Sequence, residues 1–308
     1  VLSLLAGPLC VPILRAHLDG PLRLSDLHER IGGAAQATLR GQVGNLRGIG
    51  ALERQVRRGM PYTVENELTD AGHGVLEVAE GVEAWLTRAP QGPIALGSEP
   101  AKGALRALVG GWGSTILRAL AARPLSLTEL DSVIPEISYP SLERRLSAMR
   151  AARQLEALPG QGGSRPYEVT EWTRQAVAPL AAAGRCECRH LAEMTEPPAG
   201  IDIEAAFLLA VPLVTLPAER NGSCLLALDT GAEDGEAARP LVGVQVEITG
   251  GEVVSCISRL DQGPRTWALG TSEPWLDAII DGKLDLLRVG GEDPELARTV
   301  IAGLHAVL

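Results

Sequence analysis

Arg144 and Arg145 stand side by side in a segment whose apolar residues, Leu142, Leu146 and Met149, recur at i, i+4 and i+7. That spacing buries one stripe of a helix. It turns Ser141, Arg144, Ser147, Ala148 and Ala151 to the other side, with Arg145 near the edge. A guanidinium held there has the forked donors that fit a guanine edge or a phosphate, and a serine hydroxyl suits either. Arg165 follows beyond a glycine-rich turn and suits a phosphate or a minor-groove contact. Arg54, Arg57 and Arg58 form another basic group, suited to phosphates without base choice. The chemistry these residues offer is recognition of double-stranded DNA rather than bond making.

The other reactive groups offer less. Cys186-Glu187-Cys188-Arg189-His190 puts soft ligands close together, but a zinc site needs a fourth partner and different spacing, so no metal is expected. His17, His28, His73 and His305 are isolated and read as structural or surface residues. The chain has no Walker loop, Rossmann glycine fingerprint, His-Glu-x-x-His or nucleophile elbow. The expectation is a protein that is not an enzyme and needs no cofactor. Five cysteines without framework spacing suit a reducing, cytoplasmic setting. Val1-Leu2-Ser3-Leu4-Leu5 lacks a basic stretch and a cleavage site and is not read as a signal peptide, and no apolar run has membrane-span length.

The elements that must position the arginines occur twice. Ile13-Leu14-Arg15-Ala16 and Pro21-Leu22-Arg23-Leu24-Ser25-Asp26-Leu27 return as Ile116-Leu117-Arg118-Ala119 and Pro124-Leu125-Ser126-Leu127-Thr128-Glu129-Leu130, 103 residues later. The offset holds through Leu39/Leu142, Leu52/Leu155 and Glu53/Glu156. It is read as 105 at Pro61-Tyr62/Pro166-Tyr167, implying a two-residue insertion in the second copy. A repeat this long means two copies of a small domain rather than a solenoid.

Each copy reads helix, helix, helix, strand, tight loop, strand, helix. In copy two a helix is expected over 104–121, ended by Pro124. Ser126 or Thr128 caps the next, through Ile134, and Ser138 caps a third to about Ala152. Residues 154–158 and 165–169 read as strands around a turn at 159–164, and Thr170 opens a helix through Leu180. Two helices at an angle, a reading helix and a hairpin make a winged helix-turn-helix. In copy one the outward face of the reading helix holds Thr38, Gly41, Gly44, Asn45 and Gly48. Three glycines cost about 1 kcal/mol each relative to alanine. That helix is expected to be weak, or its bare backbone to pack closely against something.

Copy two resembles the HxlR-type winged-helix regulators. The resemblance rests on Gly110-Gly111-Trp112, Ile116-Leu117-Arg118-Ala119-Leu120, Pro124-Leu125, Thr128-Glu129-Leu130, Ile134-Pro135-Glu136-Ile137-Ser138, Leu142-Glu143-Arg144-Arg145-Leu146 and Tyr167. It spans most of that copy and is weaker in copy one. It implies a DNA-binding transcription regulator. Many such proteins have an N-terminal sensor cysteine. Cys10 lies closer to the helix core than that position and reads by default as a buried structural residue.

The last third differs. The chain's net charge of −10 resides there: residues 200–308 carry 7 basic and 17 acidic side chains, and the two copies are nearly neutral. The segment 88–100 links the copies, and Glu196-Pro197-Pro198-Ala199-Gly200 marks the next boundary. Residues 203–216 are apolar with Pro212 as a breaker. Residues 223–230, 241–248 and 252–257 read as strands, and helices start at Pro274 and Pro294. Trp275-Leu276-Asp277-Ala278-Ile279-Ile280-Asp281-Gly282-Lys283-Leu284, Val289-Gly290-Gly291 and the closing apolar helix resemble a sterol carrier protein–type domain. That resemblance implies a five-stranded sheet and helices around an apolar tunnel, with Phe207, Leu208, Val211, Trp267, Trp275, Leu276 and Ile279 as candidate ligand-binding residues.

The sequence therefore predicts an α+β chain with winged-helix domains at 1–90 and 91–195 and a sterol carrier protein-like α/β sandwich at 201–308. The expected DNA-binding residues are Ser141, Arg144, Arg145, Arg165, Arg57 and Arg58. The expected partners are double-stranded DNA and a hydrophobic small-molecule effector, with no membrane and a homodimer as an option. The alternative is a protein that does not bind DNA and sequesters or carries a lipid or hydrophobic natural product.

Overall fold

The computed structural model describes residues 1–57, 63–109, 112–160, 165–190, 203–229, 242–258 and 265–307, and of Arg57 the backbone alone. The chain forms two compact units, Val1–Val109 with Ala182–Gly200, and Gly110–Ala181 with Ile201–Leu308. Arg58, the glycine pair at 110–111, residues 161–164 of the expected turn and the expected boundary at 196–200 lie outside the described residues.

The first unit begins with α1 (Leu2–Leu5), α2 (Cys10–Ala16), α3 (Leu24–Ile31) and α4 (Gln36–Gly48). Their apolar positions meet in a core in which Leu5, Ile13, Leu14, Leu27, Leu39 and Leu46 are fully buried. Strands β1 (Leu52–Arg57) and β2 (Thr63–Leu68) form an antiparallel hairpin with Leu52 opposite Leu68 and Val56 opposite Val64. Helix α5 (Asp70–Thr87) returns to pack on α2, burying Val75, Ala79, Val82, Trp85 and Leu86. On that contact Arg15 donates twice to the Glu83 carboxylate, at 2.6 and 3.1 Å. Helix α6 (Glu99–Val109) packs against α1.

The second unit opens with the same order: α7 (Gly113–Ala122), α8 (Leu127–Val133), α9 (Tyr139–Ala151), β3 (Leu155–Ala157) and β4 (Tyr167–Val169). The agreement extends to single bonds. The Thr69 hydroxyl bonds the Gly50 carbonyl and accepts from the Gly72 amide. The Thr170 hydroxyl bonds the Arg153 carbonyl and accepts from the Thr173 amide. Gly50 and Arg153 both have positive φ, 73° and 60°. Leu22 bridges Asn66 as Leu125 bridges Tyr167.

These bonds correct the expected register. Asn66 corresponds to Tyr167 and Thr69 to Thr170, so the offset falls from 103 to 101 after the hairpin tip rather than rising to 105. The first hairpin is the longer by two residues. Dipeptide identity at Pro-Tyr misled the alignment, because hairpin tips tolerate length changes that paired strands do not.

Two expected helices are each divided. The segment 104–121 contributes to α6 and α7, and the sequence between them, Gly110-Gly111, is the poorest helix-forming pair in it. The helix after Thr170 is α10 (Glu171–Arg174) followed by α11 (Val177–His190). Pro179 explains the division. Its ring would clash with the Gln175 carbonyl and it has no amide to donate, so it is tolerated only in the first turn of a new helix. Residues 177–181 of α11 belong to the second unit and 182–190 to the first.

The rest of the second unit is α12 (Ile203–Ala210), β5 (Gly222–Leu228), β6 (Val242–Thr249), β7 (Glu252–Ile257), β8 (Thr266–Gly270), α13 (Ser272–Asp281), β9 (Arg288–Gly291) and α14 (Pro294–Val307). The sheet order is β7-β6-β5-β8-β9, with β5 and β8 parallel and the other pairs antiparallel. Helices α12 and α14 lie against the sheet, and α13 packs on α14. The inward-facing Cys224, Leu226, Val244, Val246 and Ala268 are fully buried.

Candidate nucleic-acid interface

Helix α9 is positioned by its buried stripe. Leu142, Leu146 and Met149 are at most 2% exposed. The helix before it is held by a capping box, in which Ser126 accepts from the Glu129 amide and the Glu129 carboxylate accepts from the Ser126 amide at 2.8 Å. The Ser126 amide and hydroxyl, both donating to it, and Arg123 hold the Glu129 carboxyl at about 2. Ser138 occupies the N-cap position of α9, but its hydroxyl makes no capping bond.

With the stripe inward, Glu143, Arg144, Ser147, Ala148 and Ala151 are exposed, while Ser141 and Arg145 are half-buried. Arg144 donates to the Ser141 hydroxyl at 3.4 Å, so these two stand together on the exposed side. Arg145 lies at the rim of the core. Arg165 is exposed at the return of the hairpin. Two further residues flank the buried stripe of α9 rather than joining the Arg144 face. Tyr139, the first residue of α9, is 44% exposed, and its phenol is a hydrogen-bond donor of the kind that meets phosphates. The Arg150 guanidinium stacks 5.8 Å from the Tyr167 ring centre and ties α9 to β4.

In the first unit α4 is a full 13-residue helix despite its glycines. A Cβ added at Gly41, Gly44 or Gly48 would meet nothing within 4 Å. Of the two expectations, close packing of the bare backbone finds no partner within the chain: the strip faces open space. Arg40 and Arg47 are exposed along its edge, with Thr38 and Asn45, and neither arginine was marked from sequence. In the hairpin, Arg54 and Val56 share a side with Asn66 and Val64, and Arg54, Val56 and Val64 are exposed. The other side carries Glu53 opposite Glu67 and Gln55 opposite Glu65. The Gln55 amide donates to Glu67 and reaches Glu53 at 3.4 Å. The second hairpin repeats the rung with Glu156 opposite Glu168, where partial burial and the neighbouring Glu156 raise the Glu168 carboxyl. Arg57 lies at the end of β1, its side chain outside the described residues together with Arg58.

The candidate effector residues are buried in the second unit. Phe207, Leu208, Val211, Trp275, Leu276 and Ile279 are at most 3% exposed. Phe207 meets Trp275 edge to face, ring centres 4.7 Å apart, and Trp275 Nε1 donates to the Ala227 carbonyl at 2.8 Å. Trp267 is not with them. Alternation along β8 sends it to the sheet face opposite Gly270, whose open side meets Trp275, and its ring lies over Gly290.

The four buried cysteines do not resemble thiolate sensors. Burial pushes Cys10, Cys224 and Cys256 up to about 12 and Cys186 to about 11, and Cys188 is the exposed one. Among the described residues no cluster of three or more His, Cys, Asp or Glu side chains could hold a metal, and no helix is long and apolar enough to cross a membrane.

Residues 7–91 match the HxlR-like helix-turn-helix family. The match covers α2 to α5 and both hairpin strands, so this part of the chain is similar to an HxlR-like helix-turn-helix. It falls on the first copy, whereas the sequence resemblance was drawn chiefly from the second. No curated protein matches the chain.

Proposed function

We propose that the chain is an effector-responsive transcription regulator that binds double-stranded DNA through two winged helices, 1–90 and 91–195. Its C-terminal domain, 201–308, is then a sterol carrier protein-like module that takes a hydrophobic small molecule. One observation carries the reading. The segment 113–170 makes the capping and bridging bonds of the matched helix-turn-helix at corresponding positions, and it presents Arg144 and Ser141 on the exposed side of its reading helix. Two reading helices in one chain can serve a two-part operator that simpler regulators meet as dimers. The acidic last third repels DNA and suits sensing rather than gripping. In this reading the protein is cytoplasmic and not an enzyme.

The test is binding to the DNA upstream of the gene, titrated with salt against random competitor DNA. Specific binding is expected, with a slope of log affinity on log salt of about −0.9 per phosphate neutralised. The Arg144→Ala/Arg145→Ala double variant should lose specificity. No preference over random DNA at low salt overturns the reading. It would favour the second one, a protein that sequesters a hydrophobic compound, to which the net charge of −10 is better suited.

A further inference from the structure

Arg15 and Arg118 occupy corresponding positions, 103 residues apart. In the first unit Arg15 lies on the face of α2 that α5 covers, and its partner is Glu83 of α5. In the second unit the corresponding helix is divided by Pro179, and its part beyond Ala181 belongs to the first unit. The counterpart of Glu83, counted from the paired caps Thr69 and Thr170, is Gly184, which has no side chain to offer. The face of α7 is covered instead by α12, and Glu204 of α12 binds the Arg118 guanidinium. Glu204 is only 7% exposed on its side chain, so its charge is committed to this contact region.

A second fastening lies at the other end of α12. The Arg174 guanidinium donates to the Leu208 carbonyl at 3.0 Å and to the Leu209 carbonyl at 3.3 Å, at the C-terminus of α12. It also reaches the Ala121 carbonyl at 3.4 Å, at the C-terminus of α7. A cation there meets the negative ends of both helices and satisfies carbonyls left without intrahelical donors. The same helix α12 packs on β5 and β6 of the sheet, and the Cys256 thiol donates to the Phe207 carbonyl at 3.9 Å.

We propose that α12 is a surrogate helix. It completes the second helix-turn-helix core in place of the helix that the first copy makes from its own chain, and it makes the C-terminal sheet module and α7 one cooperative unit. Ligand occupancy beside Phe207 would then reach the reading helix through α12 and α7, with Glu204–Arg118 and Arg174 as the two fastenings. This regulatory role rests on the reading of the chain as a DNA-binding regulator; the shared cooperativity of α7 and α12 does not.

The experiment is hydrogen exchange on the full chain, comparing Glu204→Gln with the wild type and with the charge-exchanged Arg118→Glu/Glu204→Arg pair. Glu204→Gln keeps the shape of the side chain and removes its charge. Exchange should accelerate together in α7 and α12, by about tenfold, with α2 and α4 unchanged as internal reference. The exchanged pair should restore most of the protection. If Glu204→Gln leaves the fold too loose to compare, Arg174→Lys, which keeps the charge and shortens the reach, gives the same reading. Acceleration confined to α12, with α7 unmoved, overturns the proposal. Operator affinity measured on the same variants separates the two claims. Joint loosening of α7 and α12 with weakened operator binding supports both. Joint loosening in a chain whose wild type binds no DNA specifically supports the surrogate helix and sinks the regulator.

Discussion

His17 offers a clean perturbation, because the matching position 103 residues on holds Leu120. Both are buried, His17 at 2% exposure and Leu120 at none. The imidazole bonds the Ile13 carbonyl through Nδ1 at 2.7 Å, so the neutral ring carries its proton there. Nε2 is then a bare acceptor, and it lies buried with no hydrogen-bond partner. A buried polar atom left unsatisfied costs about 1–3 kcal/mol, and the one bond made contributes about 1 kcal/mol. Replacing the ring by leucine removes both and adds apolar burial. His17→Leu should therefore stabilise the first unit by about 1–2 kcal/mol at pH 7.5.

The pH dependence sharpens the test. Burial lowers the His17 pKa below the ordinary 6.5, the bond to Ile13 opposes that shift, and the charge of Arg30 adds to it. The unfolded chain then binds more protons than the folded one between the lowered pKa and 6.5. Stability must fall as pH drops through that window, by at most about 1.4 kcal/mol per pH unit, and the loss is complete below the folded pKa. Leucine has nothing to titrate. The advantage of His17→Leu should therefore widen between pH 7.5 and 5.5. Protection factors of the α2 and β2 amides, corrected for intrinsic exchange, measure this in the unit concerned. An advantage that stays constant or narrows in acid, or a variant less stable at pH 7.5, refutes the reasoning.

Two further outcomes follow. Changing Gly41, Gly44 and Gly48 singly to alanine should stabilise α4 by up to about 1 kcal/mol each, since the new methyl groups meet nothing within 4 Å; urea unfolding checks it, and a destabilised variant would mean the strip is covered. A thiol reagent at pH 8 should label Cys188 first, because burial raises the other four thiols; comparable labelling of Cys10 in the folded chain contradicts this.

Much of the reading helix was legible because its signals are local. Leu142, Leu146 and Met149 state the buried side outright, and Arg144 follows from them. Strand β7 was placed residue for residue, since its polar and glycine borders are sharp. The misreadings came where one residue overrides a pattern. Pro179 divides a helix whose apolar spacing continues across it. The length of the hairpin tip shifts the register without disturbing the threonine caps that flank it. Strands β8 and β9 escaped because Thr266–Gly270 and Arg288–Gly291 are short, and their partners lie far away in sequence. Trp267 was grouped with Trp275 on hydrophobicity, and only the alternation of β8 separates them.

The first hairpin has two electrically unlike sides. Arg54 stands with valines on one, and Glu53, Glu67 and Glu65 gather on the other. A polyanion can lie along the arginine side, where short-range attraction and apolar contact cooperate, but it meets mounting repulsion if it turns toward the carboxylates. If the domain binds DNA as proposed, the hairpin would act as a keel, biasing which way round the domain sits on an extended anion before any base is read, through charges too close together for physiological salt to screen completely. Orientation along a duplex and recognition of its sequence then become separable tasks, the first set by the strand pairing of the hairpin and the second by the side chains of the helix beside it.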